Sequence, residues 1–101
     1  CPFNLKYPEC DIHCAEKLKD FFIKGIDPEN TAAIIAEPIQ GEGGFITPPK
    51  EYFSRIKKIC EENNILFIAD EIQTGICRTG NMFAMQHYNV IPDITLTAKS
   101  L

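Results

Sequence analysis

The sequence predicts an α/β fold in which parallel strands alternate with helices. Two stretches carry apolar residues at helical spacing, and three short apolar runs have the length and composition of strands. Helices and strands alternate along the chain, and that alternation implies a parallel sheet with right-handed crossovers.

Residues 1–10 contain Pro2 and Pro8 and show no periodicity, so they form an extended lead-in. From Asp11 onward, Ile12, Ala15, Leu18, Phe21 and Phe22 mark the inward face of an amphipathic helix, with Asp11 as N-cap and Gly25 as terminator. Asp27-Pro28-Glu29-Asn30 is a turn, and Thr31 to Ala36 is a buried strand ending at Glu37-Pro38. The three glycines of Gln40-Gly41-Glu42-Gly43-Gly44 permit close backbone approach or positive φ. Pro48-Pro49 introduces a helix from Lys50 to Asn63, with Tyr52, Phe53, Ile56, Ile59 and Cys60 inward and Lys57, Lys58, Glu61 and Glu62 on a solvated face. Ile65 to Ala69 is a strand buried on both faces, as in a parallel sheet, and it runs into Asp70-Glu71. Thr74 to Asn81 is a glycine-containing loop, Met82 to Tyr88 a short apolar helix, and Ile94 to Thr97 a third strand after Pro92-Asp93.

At 101 residues the chain is at most one domain with a modest core. Ten basic against fourteen acidic residues give a net charge of −4, and the basic residues are scattered, so no nucleic acid is expected as partner. No apolar run approaches the roughly 20 residues that span a bilayer, so no membrane is expected either. Five cysteines without CxxC spacing, after no signal-peptide pattern, are expected to be reduced thiols of a cytoplasmic protein. Cys10 and Cys14 flank His13, but no second ligand pair follows at zinc-finger spacing, and no metal is expected. Position 1 is not Met and Lys99 stands two residues from the last one, Leu101, so the chain reads as a piece of something larger.

Ligands of open α/β sheets bind beyond the carboxyl ends of the strands, so Asp70, Glu71 and Gln73 are expected at the mouth of a crevice. A strand-end carboxylate can hold a protonated ring nitrogen, and a lysine deprotonated by apolar surroundings can form a Schiff base. Asp70 and Lys99 are therefore the pair a pyridoxal phosphate enzyme needs, although on spacing alone an Asp70 that caps a loop and a solvated Lys99 serve equally. Ile65 to Glu71 also has the form of a Walker B strand. That reading requires GxxxxGK[ST], and neither Gly41-Glu42-Gly43-Gly44 nor Thr97-Ala98-Lys99-Ser100 supplies it. Glu37 and Glu42 could be an acid and base pair, a guanidinium site, or solvated loop acids.

Five segments together resemble the class III, pyridoxal-phosphate-dependent aminotransferases, and within them the 4-aminobutyrate aminotransferase branch. They are Glu37-Pro38-Ile39-Gln40-Gly41-Glu42-Gly43-Gly44, Ile68-Ala69-Asp70-Glu71-Ile72-Gln73-Thr74-Gly75, Arg78-Thr79-Gly80, Pro92-Asp93 and Ala98-Lys99-Ser100. The likeness runs from about Pro28 onward, and the Asp-to-Lys interval, 99 − 70 = 29, fits the family pattern.

The resemblance implies part of the fold type I large domain: residues 1–101 would be a fragment of it, without the small domain or the phosphate-binding turn. It also implies that Asp70 pairs with the pyridinium nitrogen, Ile72 packs on the ring, Gln73 approaches the phenolic oxygen, and Lys99 forms the Schiff base and then carries protons. Glu42 would be the switch glutamate that pairs with an arginine lying outside these residues. The implied partners are an ω-amino acid donor such as 4-aminobutyrate and a keto acid acceptor such as 2-oxoglutarate, in a homodimer or homotetramer. Ornithine or acetylornithine enzymes share most of these motifs, and a non-catalytic structural piece is the alternative of another class. The isolated chain is expected to bind cofactor weakly and not to turn over. One departure stands out: the family has Gly-Phe-Gly-Arg-Thr-Gly where this chain has Gly75-Ile76-Cys77-Arg78-Thr79-Gly80, which puts a thiol in the loop beside the cofactor.

Overall fold

The computed structural model describes all residues from Cys1 to Leu101. Helix α1 (His13–Lys24) is followed by strand β1 (Ala33–Ala36), helix α2 (Tyr52–Glu62), strand β2 (Leu66–Asp70), a 3-10 helix (Ala84–Tyr88) and strand β3 (Ile94–Leu96). The three strands form one parallel sheet in the order β1-β2-β3, with Ile35, Ile68 and Ile94 level across it. Alternation of helix and strand thus produces the expected parallel sheet, with β2 at its centre.

Successive residues of a strand face opposite sides, and the two sides of this sheet differ. Phe67 and Ala69 are fully buried under α2, whose Phe53, Ile56 and Cys60 meet them in the core. The Phe53 ring packs against Phe67 at 5.9 Å and edge-on to Tyr88 of the 3-10 helix at 4.9 Å. On the other side Ile35, Leu66 and Ile94 are exposed, so β2 is buried on one face only, contrary to expectation. A run of apolar residues reports the capacity to be covered twice; the helices of this chain cover one side.

Helix α1 packs on α2 rather than on the sheet. Ile12 and Ala15 are buried and Leu18 and Phe22 lean on the same cluster, whereas Phe21, expected inward, is 60% exposed. Spacing at 15, 18 and 22 already defines the stripe, and Phe21 falls beside it. Asp11 is not the N-cap: Ile12 precedes the helix at φ 54°, and no side chain caps the first turn. The Asp11 carboxylate instead pairs with Arg55 of α2 at 2.6 Å, and Arg55 also donates to Glu16 at 3.1 Å, fastening the two helices together. Both carboxylates hold the guanidinium charge in place, and Lys19 and Arg55 lower the carboxyl pKa of Glu16.

The solvated face expected of α2 also needs correction. Lys58 and Glu62 conform, but Lys57 is mostly covered and donates to Asp93 at 2.7 Å. Asp93 is the residue before β3, so this ion pair joins α2 to the edge of the sheet.

Candidate functional site

Parallel strands deliver all their carboxyl ends to one edge. After β1 come Glu37 to Gly44, after β2 Glu71 to Gln73, and after β3 Thr97 to Lys99. Asp70 is the register partner of Leu96, and the Glu71 N–H donates to the Leu96 carbonyl at 3.0 Å, so the lysine-bearing segment leaves the sheet beside Asp70.

Asp70 is half-buried, and one of its oxygens accepts the Ile72 N–H at 3.1 Å. Its other oxygen makes no hydrogen bond within the chain and is available to a donor. Lys99 is exposed, makes no hydrogen bond or ion pair, and has φ 52°. No hydrogen bond joins Lys99 to Asp70, Gln73 or Glu42.

Gln73 and Glu42 do meet. Gln73 Nε2 lies 3.4 Å from Glu42 Oε1, a long contact that leaves the exposed carboxylate loosely held. The glycine loop makes this approach possible. Gln40 and Ile46 exchange backbone hydrogen bonds across a short hairpin, and a Cβ on Gly41 would stand 2.7 Å from the Gln73 amide nitrogen. Gly41 is thus small because Gln73 lies against it, while Gly44 takes the left-handed φ of 121°. Glu37 accepts the Gly41 N–H at 2.8 Å, and it supports the turn rather than forming a pair with Glu42.

Glu71 departs most from expectation. It does not stand at the mouth: it is 1% exposed and points into the protein. Its Oε1 accepts the Thr74 hydroxyl at 2.8 Å and the Ala84 N–H at 2.7 Å, and its Oε2 accepts the Met85 N–H at 3.2 Å. These are the free N–H groups that open the 3-10 helix, so Glu71 is a buried structural anchor. Asp70 ends β2 and Glu71 continues its ladder through the N–H to Leu96, so the two side chains point to opposite sides, a signal the sequence alternation carries.

Arg78 and Ser100 belong to the motif strings, which assign them no task. Arg78 Nε donates to Ser100 Oγ at 2.8 Å, across 22 residues that no local pattern connects. Cys77 has φ 64° at the position where the resemblance expects glycine, and its thiol is exposed. Cys10, His13 and Cys14 do not converge on a metal; the His13 ring packs edge-on against Phe3 at 5.1 Å.

A free carboxylate oxygen, an amide and an unpaired lysine at the carboxyl edge of a parallel sheet form a donor set suited to a cofactor that makes Schiff bases. The profile described as Aminotransferase class-III matches residues 2–101, and the chain belongs to that family. It is 48% identical over 100 residues to a Bacillus subtilis protein described as "Probable 4-aminobutyrate aminotransferase", covering 99% of this chain and 23% of that one. It is 44% identical to a leucine/methionine racemase of Thermococcus litoralis, covering the whole chain and 23% of the relative. An amine transaminase from an uncultivated Pseudomonas species, described in a PLP-bound form, superposes with a TM-score of 0.90 at 38% identity, over 98% of this chain and 22% of its own. The chain spans about a quarter of the length of these curated relatives.

The fold is part of the fold type I aminotransferase large domain. The cofactor of this family is pyridoxal phosphate. The residues present fit it: the unsatisfied Asp70 oxygen suits a protonated ring nitrogen, and Lys99 has an amine that nothing else engages. No helix of the chain is long and apolar enough to cross a membrane.

Proposed function

We propose that these residues are the central part of the large domain of a pyridoxal-phosphate-dependent aminotransferase, which moves an amino group from an ω-amino acid such as 4-aminobutyrate to a keto acid such as 2-oxoglutarate. The observation that supports this most is the Asp70–Leu96 register, which brings the strand-end acid and the segment bearing Lys99 to one edge of the sheet.

In this reading Asp70 keeps the ring nitrogen protonated, because a carboxylate in a partly covered site favours the cation beside it. Ile72 covers a face of the ring, and Gln73, fixed against Gly41, directs its amide toward the phenolic oxygen. Lys99 would hold the cofactor through its Nζ, and that nitrogen, once exchanged for the incoming amine, would serve as the base and acid that carries the substrate's proton. When bound, the cofactor supplies a conjugated ring that delocalises the electron pair left on that carbon. Glu42, loosely held at 3.4 Å from Gln73, pairs with an arginine when the donor has one carboxylate and releases it when the acceptor brings a second. The complete enzyme in this reading is a cytoplasmic homodimer or homotetramer.

The likeness to a racemase makes the fate of the amino group the decisive question. The complete enzyme should be loaded with pyridoxal phosphate, recorded in the visible range, and offered 4-aminobutyrate, ornithine, acetylornithine and single L-amino acids, with and without 2-oxoglutarate. Glutamate formed from 4-aminobutyrate bears the proposal out. Inversion of an L-amino acid with no acceptor consumed, or no absorbance change with any amine, overturns it.

A further inference from the structure

We propose that Arg78 is a positioning residue for Lys99, acting through Ser100; this rests on the reading of Lys99 as the Schiff-base lysine. Lys99 has φ 52°, a left-handed conformation that a side-chain-bearing residue keeps only where its surroundings hold it. Residues 97–101 make a single side-chain hydrogen bond, from Arg78 Nε to Ser100 Oγ at 2.8 Å. Since Ser100 follows Lys99 directly, this bond fixes the peptide from which the lysine side chain departs.

Arg78 can do this because its own loop is anchored. His87 Nε2 lies 2.9 Å from the Thr79 carbonyl, an atom that only accepts, so Nε2 carries the proton and Nδ1 accepts from Asn81 at 3.3 Å. His87 belongs to the 3-10 helix that Glu71 anchors at its other end. A path of hydrogen bonds and short chain segments therefore leaves the sheet at Asp70-Glu71, crosses the 3-10 helix to Thr79, and returns through Arg78 to Ser100-Lys99. It joins the acid and the lysine by a second route besides the β2–β3 ladder. Loosening it would change where the amine stands relative to Asp70, and so the pH at which the bound amine changes its protonation.

The test uses the complete, cofactor-loaded enzyme as wild type, Arg78→Met, Ser100→Ala and the double variant. The readouts are the pH midpoint of the visible absorbance transition, and kcat and KM measured separately. Each single variant is expected to move the midpoint in the same direction by about half a pH unit and to lower kcat several-fold with little change in KM. The double variant should move no further than Arg78→Met, because both remove one interaction. A wild-type midpoint in either single variant, or shifts that add in the double, overturns the proposal. If Arg78→Met does not fold, Ser100→Ala decides alone, since it removes only a hydroxyl. Borohydride reduction followed by peptide mapping separates the two readings: a label on a lysine other than Lys99 overturns the parent assignment, whereas a label on Lys99 with unshifted midpoints overturns only the role of Arg78.

Discussion

Asp93 and Phe67 exchange two hydrogen bonds. The Asp93 N–H donates to the Phe67 carbonyl at 2.8 Å, and the Phe67 N–H donates to Asp93 Oδ2 at 2.7 Å. The Asp93 side chain thereby extends the β2–β3 ladder by one step before β3 begins, and Lys57 closes the arrangement from α2 at 2.7 Å.

Loss of this clamp should loosen β3, the strand that leads to Lys99. Asp93→Ala is expected to cost about 1–2 kcal/mol, given two charge-assisted bonds in a half-covered position. Lys57 first, and then the Phe67 N–H, hold the Asp93 carboxyl below its usual pKa. A depressed folded pKa gives stability that is present above the unfolded value and lost as pH falls through the folded one. The gap between wild type and Asp93→Asn in urea denaturation should therefore be widest at neutral pH and close as pH falls through the lowered pKa of the folded Asp93 carboxyl; a gap independent of pH would contradict it.

Glu71 is buried with three donors converging on it, so its loss leaves two backbone N–H groups and a hydroxyl without acceptors. Glu71→Leu should destabilise by about 2–4 kcal/mol. Glu71→Gln should be only partly better, because its NH2 turns a donor toward a donor. Thermal melts of both variants check the order.

Gly41→Ala places a methyl where the Gln73 amide lies, 2.7 Å from its nitrogen. The amide end can swing away, so stability should change by less than about 1 kcal/mol. Cofactor binding should weaken several-fold, read by titration of the visible band. Unchanged affinity would separate Gln73 from the cofactor.

Cys77 has φ 64°, where a Cβ is unfavourable and glycine is not. Cys77→Gly should stabilise the folded protein by about 0.5–1 kcal/mol, the removed strain being partly offset by the freer unfolded chain. Chemical denaturation checks the sign.

Two substitutions test the proposed chemistry directly. Lys99→Ala should abolish the visible absorbance of the attached cofactor. Asp70→Asn should retain cofactor but lower turnover on the order of a hundredfold, because a neutral amide cannot keep the ring nitrogen protonated. Comparable turnover in Asp70→Asn would count against the assigned role.

Most of the fold was legible from local patterns. Tyr52 to Glu62 and the apolar runs at Ala33, Leu66 and Ile94 announce themselves because period and length are properties of neighbouring residues. The family motifs around Glu42, Asp70 and Lys99 were legible for the same reason, since each is a contiguous string. Asp11 leaves the cap position open because Arg55, 44 residues away, offers its carboxylate a charge-assisted bond that no local pattern reveals. Phe21 stays exposed because spacing defines a stripe but not its width.

By itself the sequence determined the order of helices and strands, the parallel sheet they imply, and the family resemblance. Only the tertiary structure decided which of two adjacent acids is left half-exposed at the sheet edge and which is buried, that Lys57 serves Asp93, and that Arg78 reaches Ser100. The reason is physical: periodicity and motif strings record interactions within a few residues, whereas these bonds join positions 13 to 36 apart and exist only once the sheet brings them within 3 Å or so.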